Sequence, residues 1–321
     1  MPARDAGDDA VLRRDPVTFA GERAPLTLRV QVVLFLTPLA QLWRLITAVG
    51  AAGHRAKTAG RLSRLDLAFG DCSPAPLLGP PDVEQLRERA SARGISSFSY
   101  EFFAENLGSA GASNRLAQDA DADYLLVLNP DTYPAPDLLV ELLRVFDDPA
   151  VGVAEGRQIP LEHPKEYDVR SGDTSWASGC CLLVPRAVFE SVGGFDTANF
   201  FLHCDDVDLS WRVRLAGRRI VHVPTAVVFH DKRIGVDGKL VTPPTETYHG
   251  TLGRLMLARK YCRQDVLAET LAWSEQHGTP AHRQAAAEYR RREALGNLPA
   301  PLEGAARVAQ FVGNDYAVHR F

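Results

Sequence analysis

Asp205-Asp206-Val207-Asp208 puts three carboxylates into four residues. Carboxylates that close repel one another unless they are solvated, paired or bound to a cation. One reading is a solvated helix start, where the macrodipole favours Asp by roughly 0.3–1 kcal/mol. The other is a working acidic site. The flanks favour chemistry: Phe200-Phe201-Leu202 and Trp211 set the carboxylates beside a buried wall. Asn129-Pro130-Asp131 offers two oxygen-bearing side chains at i and i+2. It reads as a turn, or as a site for a hard cation such as Mg²⁺, which takes one or two carboxylates along with substrate phosphates. His230 closes the run AVVFH and precedes Asp231-Lys232-Arg233. It reads as a strand-end residue, or as a neutral nitrogen ligand that suits Mn²⁺ better than Mg²⁺. A competing pattern is His203-Cys204-Asp205, which with His222 or His230 would supply a two-His-one-carboxylate iron triad.

Several chemistries are excluded by missing motifs. The sequence has no GxxxxGK[ST] phosphate loop, no GxGxxG and no GxSxG elbow. P-loop, dinucleotide-binding Rossmann and α/β-hydrolase sites are therefore set aside. The 321 residues are 45% apolar and 24% charged, as in an ordinary globular protein. A net charge of -4 gives no basic field for nucleic acid. Apolar stretches such as 30–36 are too short to span a bilayer. Five cysteines, an odd number without a CxxC pair, fit thiols in a reducing, cytoplasmic compartment.

These residues need elements to hold them. Residues 1–25 carry nine charges and no apolar core segment, so they read as a flexible leader rather than a signal peptide. Strands are expected at 28–35, 64–69 and 124–128, and helices at 38–52 (ending near Gly53), 82–93, 112–120 and 138–146. Gly108-Ser109-Ala110-Gly111 reads as a loop. This alternation argues for an α/β fold with a mostly parallel central sheet flanked by helices. Ligands of such sheets lie beyond the carboxyl ends of the strands, where Asp71 and Asp131 fall. Further on, 180–184 reads as a strand, and 219–230 as two strands broken by Pro224. The alternation Val207, Leu209, Trp211, Val213, Leu215 has strand period, while Gly217 suits a helix end. Residues 251–295 carry helical patterns.

Five blocks then resemble, in order and spacing, the family 2 inverting glycosyltransferases of the GT-A fold, rhamnosyltransferase-like branch. They are Asn106 to Gly111 (NLGSAG), Tyr124 to Thr132 (YLLVLNPDT), Gly179 to Asp196 (GCCLLVPRAVFESVGGFD), Phe200 to Arg214 (FFLHCDDVDLSWRVR) and Val223 to His230 (VPTAVVFH). The resemblance implies a GT-A domain over 26–262 and a C-terminal helical extension over 263–321. It implies a nucleotide-sugar donor, dTDP-rhamnose or a UDP-sugar, and Mn²⁺ or Mg²⁺ as cofactor. It gives Asp206 the role of catalytic base, with Asp205 beside it. Thr37, Asp71, Ser73, Asn114, Asn129 and Asp131 fall on the nucleotide side. Asn129, Asp131 and His230 form the metal set, and Trp176, Ser178, Gly179 and His203 line the sugar and acceptor side. It also makes 206–216 a helix, against the alternating pattern. The chain departs from the family in Asn129 for the first Asp of DxD, in Leu36-Thr37 for Tyr-Asn, and in Asp71-Cys72-Ser73 for Asp-Asn-x-Ser.

The acceptor is a saccharide, a lipid-linked sugar or a small molecule. A catalytically degenerate GT-A domain that only binds a nucleotide or partner is the second hypothesis, supported by Asn129. Residues 252–263 (LGRLMLARKYCR) are basic and amphipathic. They read as a packing helix, or as a peripheral contact with anionic lipid at the inner membrane face. The helices beyond them shape an acceptor pocket or a homodimer interface.

Overall fold

The computed structural model describes residues 26–162, 165–232 and 242–317. The 1–25 leader lies outside them. Buried apolar runs form the strands: β1 (Leu26–Leu34), β2 (Leu62–Asp71), β3 (Ser97–Phe102), β4 (Tyr124–Leu128), β5 (Thr132–Pro134), β6 (Val151–Ile159), β7 (Cys181–Pro185) and β8 (Arg219–His230). They make one sheet in the order β3-β2-β1-β4-β7-β6-β8-β5. The first four in that order run parallel, and β8 runs parallel to β6. β7 is antiparallel to both β4 and β6, and β5 is antiparallel to β8. The expected α/β sheet is present, and its parallel character is concentrated in one half.

The helices are α1 (Leu39–Thr58), α2 (Pro80–Ala92), α3 (Gly108–Gln118), α4 (Leu138–Arg144), α5 (Arg186–Ser191), α6 (Asp205–Leu215), α7 (Pro244–Lys260), α8 (Gln264–Gln276) and α9 (Pro280–Ala294). Helix α1 runs past Gly53, because the helix lies so close to β2 there that a Cβ would meet Leu65 Cδ2 at 2.2 Å. Close packing, not helix termination, is what asks for that glycine. The expected 108–111 loop is the first turn of α3. β8 is continuous through Pro224. Gly156 pairs with Val223 but Arg157 pairs with Val227, so 224–226 bulge out of the ladder and the missing proline N–H breaks no pairing with β6.

Helix α6 is helical despite its alternating sequence. Val207, Leu209, Trp211 and Val213 are fully buried, and so are Asp208 and Ser210 between them. A helix enclosed on nearly all sides loses the one-sided period that would reveal it. Its outer neighbours are α7–α9: Trp176, Phe200, Val207 and Trp211 share one apolar cluster with Leu255, Met256, Tyr261, Leu271 and Tyr289. The basic stretch 252–263 is thus a packing element. Leu252, Leu255, Met256 and Leu257 are buried, and Lys260 is ion-paired inside to Asp196 and Asp208. Its apolar side chains are taken up by this packing, as the packing-helix reading expects. Among the described residues no helix is long and apolar enough to cross a membrane.

Candidate active site

The rim beyond the carboxyl ends of β1, β2 and β4 gathers the expected nucleotide-side residues. Asp71, the last residue of β2, pairs with Leu34 at the end of β1. It is fully buried. Its Oδ1 accepts the Ser73 N–H at 2.9 Å, and its Oδ2 accepts the Leu77 N–H at 2.8 Å and the Tyr100 hydroxyl at 2.6 Å. Asp71 therefore shapes the 71–77 loop from within. Burial, and then the bond to Asp71, push the Tyr100 phenol up to about 12. Ser73 Oγ accepts the Leu36 N–H at 2.9 Å, and Thr37 Oγ1 accepts the Phe35 N–H at 3.3 Å, so both fix the turn after β1. Asn114 is held elsewhere. Its amide takes the Phe195 N–H at 2.9 Å and gives to the Phe195 carbonyl at 2.8 Å, clamping the 193–196 turn.

Asp131 and His230 come together from distant sequence because Thr132 on β5 pairs with His230 on β8. His230 Nδ1 lies 2.9 Å from Gln158 Oε1, so with the proton on Nδ1 the Nε2 lone pair is free to bind a cation. That nitrogen stands 3.4 Å from Asp131 Oδ2. Adjacent ligands of an octahedral ion at ~2.1 Å are about 3 Å apart, so the pair fits two positions on one cation. Among the described residues no group of three or more His, Cys, Asp or Glu converges on a metal position. A cation here would draw its remaining ligands from outside these side chains. Asn129 adjoins the pair through its backbone: its N–H donates to the Cys180 carbonyl at 3.0 Å.

That bond leads to the acidic motif. Gly179, next to Cys180, donates its N–H to Asp206 Oδ2 at 2.8 Å, and the Val207 N–H reaches Asp206 Oδ1 at 2.8 Å. The three carboxylates have separate environments. Asp208 is fully buried, with Arg212 Nε at 2.7 Å, Lys260 Nζ at 2.6 Å and Tyr261 Oη at 3.1 Å. Asp205 is also buried and accepts the Ser109 hydroxyl at 2.8 Å. Burial, reinforced by the charge on Asp206, raises its carboxyl to about 7. Asp206 alone is half-buried, at the start of α6. His203 and Cys204 precede it with φ of +65° and +63°, a sharp entry that turns the motif onto the rim.

On the expected sugar and acceptor side, Ser178 and Trp176 are buried while Gly179 borders Asp206. The Trp176 ring has Lys165 Nζ 3.9 Å from its centroid and Tyr316 against its edge at 5.2 Å. Trp176 is a wall behind the site in this structure.

The sequence of the family described as "Glycosyl transferase family 2" matches residues 81–208, which run from α2 to the acidic motif. Residues 81–208 resemble this family. An N-acetylglucosaminyl-diphospho-decaprenol L-rhamnosyltransferase of Mycobacterium tuberculosis is 51% identical over 117 residues, which is 33% of this chain and 36% of that protein. Rhamnosyltransferase WbbL of Escherichia coli is 29% identical over 141 residues, 35% of this chain and 53% of that one. The chain thus spans between about a third and a half of these relatives' lengths. The fold is GT-A-like. A crystal structure of GalNAc-T7 with UDP, GalNAc and Mn²⁺ matches 86% of this chain and 56% of its own, with 14% identity and a TM-score of 0.62. Mannosyltransferase PcManGT from Pyrobaculum calidifontis with GDP-Man and Mn²⁺ matches 88% and 78%, with 16% identity and a TM-score of 0.52.

The iron alternative fails on geometry. Asp205 binds Ser109, His222 binds Glu155 and Glu162, and His230 faces Asp131, so no triad assembles among the described residues. Sequence reasoning missed Ser109, Gln158, Glu155 and Lys165. Ser109 sits in NLGSAG, where glycine and serine suggest a loop rather than a helix start. Glu155 and Gln158 lie on β6, whose glycines and charges (VGVAEGRQI) hide its strand character. For Lys165 no sequence signal existed beyond the scarcity of lysine, five against 31 arginines.

Proposed function

We propose that the chain is an inverting glycosyltransferase that moves a sugar from a nucleotide-diphosphate donor to an acceptor hydroxyl, with Asp206 as general base. The observation that carries this reading is the setting of Asp206. It is the half-buried member of the acidic motif, fixed by two backbone N–H groups and joined through Gly179 and Cys180 to the 129–131 turn. Asp205 takes a different part. With its carboxyl raised to about 7, it shares a proton with its surroundings and leaves the negative charge of the pair on Asp206. A carboxylate so placed accepts the proton of the attacking hydroxyl, a contribution typically worth ~10²–10⁴ in rate. Attack from the face opposite the departing diphosphate inverts the anomeric carbon.

Asp131 and His230 would hold Mn²⁺ or Mg²⁺, which when bound supplies Lewis-acid neutralisation of the leaving diphosphate. Thr37, Asp71, Ser73 and Asn129 frame the nucleotide side. Asp71 acts there by holding the 71–77 loop. The relatives' names favour dTDP-rhamnose as donor, with a UDP-sugar as the alternative, and a diphospho-lipid-linked saccharide as acceptor. Such an acceptor would place the reaction at the inner face of a membrane. The test is a thermal-shift panel of UDP, dTDP and GDP with and without Mn²⁺, followed by turnover of wild type and Asp206→Asn. We expect metal-enhanced stabilisation by one nucleotide, and loss of transfer with donor binding kept in the variant. Binding without turnover under any condition would favour the degenerate domain suggested by Asn129. Wild-type turnover in Asp206→Asn would remove its role as base.

A further inference from the structure

Behind the acidic motif lies a charged cluster that the proposed chemistry leaves unused. Glu155 on β6 and Lys165 form an ion pair with side chains 3% and 5% exposed. His222 on β8 adds Nδ1 at 3.0 Å from Glu155 Oε1, and its Nε2 reaches Glu162 at 3.1 Å. Burial pushes the Glu155 carboxyl up, but Lys165 and His222 outweigh it and hold it below its ordinary range. Burial pulls the Lys165 ammonium down from its own. Groups buried this deeply are costly unless every bond is made.

The bonds run toward the site. Lys165 Nζ donates to the Trp176 carbonyl at 2.8 Å and sits over the Trp176 ring. Glu155 Oε2 accepts the Ser178 N–H, and the next residue, Gly179, holds Asp206. Ser210 of α6 closes the same segment by accepting the Ala177 N–H at 3.0 Å. Four successive residues, 176–179, are therefore pinned between a buried ion pair and the helix that carries the base. Lys165 and Asp206 also attract one another through space.

We infer that Lys165 and Glu155 are positioning residues that set the orientation and charge of the Asp206 carboxylate through the 176–179 segment. This rests on the reading of Asp206 as base. The charged and titratable groups that face Lys165 are Glu155 of β6, His222 of β8, Asp206 of α6 and Cys180 before β7. Glu155 and Glu162 raise the His222 imidazole against its burial, but Lys165 is the cation of the set that both bonds the 176–179 segment and attracts Asp206, so it is the one whose removal Asp206 should register.

Turnover of dTDP-rhamnose with a short-chain N-acetylglucosaminyl-diphospho-prenol is measured against pH, alongside amide exchange at Gly179. In Lys165→Met, kcat falls ~10–100-fold with donor KM near wild type, as expected for a displaced base. The acid limb of kcat moves up by about one pH unit, because a favourable charge has gone. Lys165→Arg keeps the limb in place. If Lys165→Met does not fold, Glu155→Gln/Lys165→Met removes both charges together, a change buried pairs often tolerate. Faster exchange at Gly179 is expected in either charge-removing variant, whichever sugar and acceptor the chain uses. An unmoved acid limb in Lys165→Met, or Gly179 exchange at the wild-type rate in either charge-removing variant, overturns the inference. Asp206→Asn separates the two failures. If it abolishes transfer while Lys165→Met behaves as wild type, the base stands and the positioning pair falls; if it is fully active, both fall.

Discussion

At the scale of single residues, one acidic motif holds carboxylates in three different states. Asp208 is neutralised by Arg212 and Lys260, Asp205 is buried beside a like charge, and Asp206 is left at the rim. The second has a consequence for stability. In the unfolded chain Asp205 ionises near 3.8, and in the fold near 7. Between those values the native state binds more protons, so stability falls as pH rises from about 4 to about 7. The loss is present in full above pH 7 and reaches at most about 4 kcal/mol. Asp205→Asn removes the charge and keeps an acceptor for Ser109. Its melting temperature should exceed wild type at pH 8 and match it near pH 4; equal values at both would place Asp205 outside this account. Asp131 is tested by binding. Asp131→Ala leaves His230 as a lone nitrogen, and Mn²⁺-dependent nucleotide binding by titration calorimetry should weaken at least ~10-fold, since hard cations depend on carboxylate oxygen.

At the scale of elements, the site depends on two chain segments almost a hundred residues apart meeting closely. Gly108 opens α3 with φ +68°, and a Cβ there would stand 2.2 Å from the Phe201 carbonyl oxygen. The next residue, Ser109, donates to Asp205. Gly108→Ala combines a left-handed strain with a backbone clash, so it should cost more than the ~1 kcal/mol usual for such sites. Urea unfolding should show at least that loss, and activity should drop more than stability alone explains, because Ser109 is carried out of register. Much of this scale was legible. The runs at β1, β2 and β4 are dense in β-branched or leucine residues, and Asn129-Pro130-Asp131 marks where β4 stops. Edge and internal strands were not: β3 alternates serine with aromatics, and β6 carries two glycines and two charged residues. Helix α6 hid because buried Asp208 and Ser210 look polar in sequence and apolar neighbours surround them in space. The pairings Asp131–His230 and Lys165–Glu155 come from strand order and loop return, which no local pattern encodes.

At the scale of the molecule, the helices beyond 262 are built into the structure that holds the site. Trp176, Phe200, Val207 and Trp211 complete their apolar cover with α7, α8, α9 and residues 305–316. A chain ending at 262 would expose that cluster, so we expect it to be insoluble, while the full chain unfolds in one transition. Lys260 gives a finer test. It ends α7, with a side chain 7% exposed and its Nζ 2.7 Å from Asp196 and 2.6 Å from Asp208. Asp208 is fully buried, so solvent cannot stand in for the lost charge. In Lys260→Met the apolar stem is kept and the charge lost, leaving Asp208 with Arg212 as its one cation and the Tyr261 hydroxyl as a neutral donor. Breaking a buried pair from one side costs about 3–5 kcal/mol, most of it from the charge left behind. Replacing both partners by neutral groups should recover much of that, so Lys260→Met/Asp208→Asn is expected to be more stable than Lys260→Met. The order of the three urea midpoints, wild type above the double variant above the single, would show that α7 is anchored to the acidic motif through this charge. A single variant as stable as wild type would instead mean that apolar packing alone joins α7 to the acidic motif.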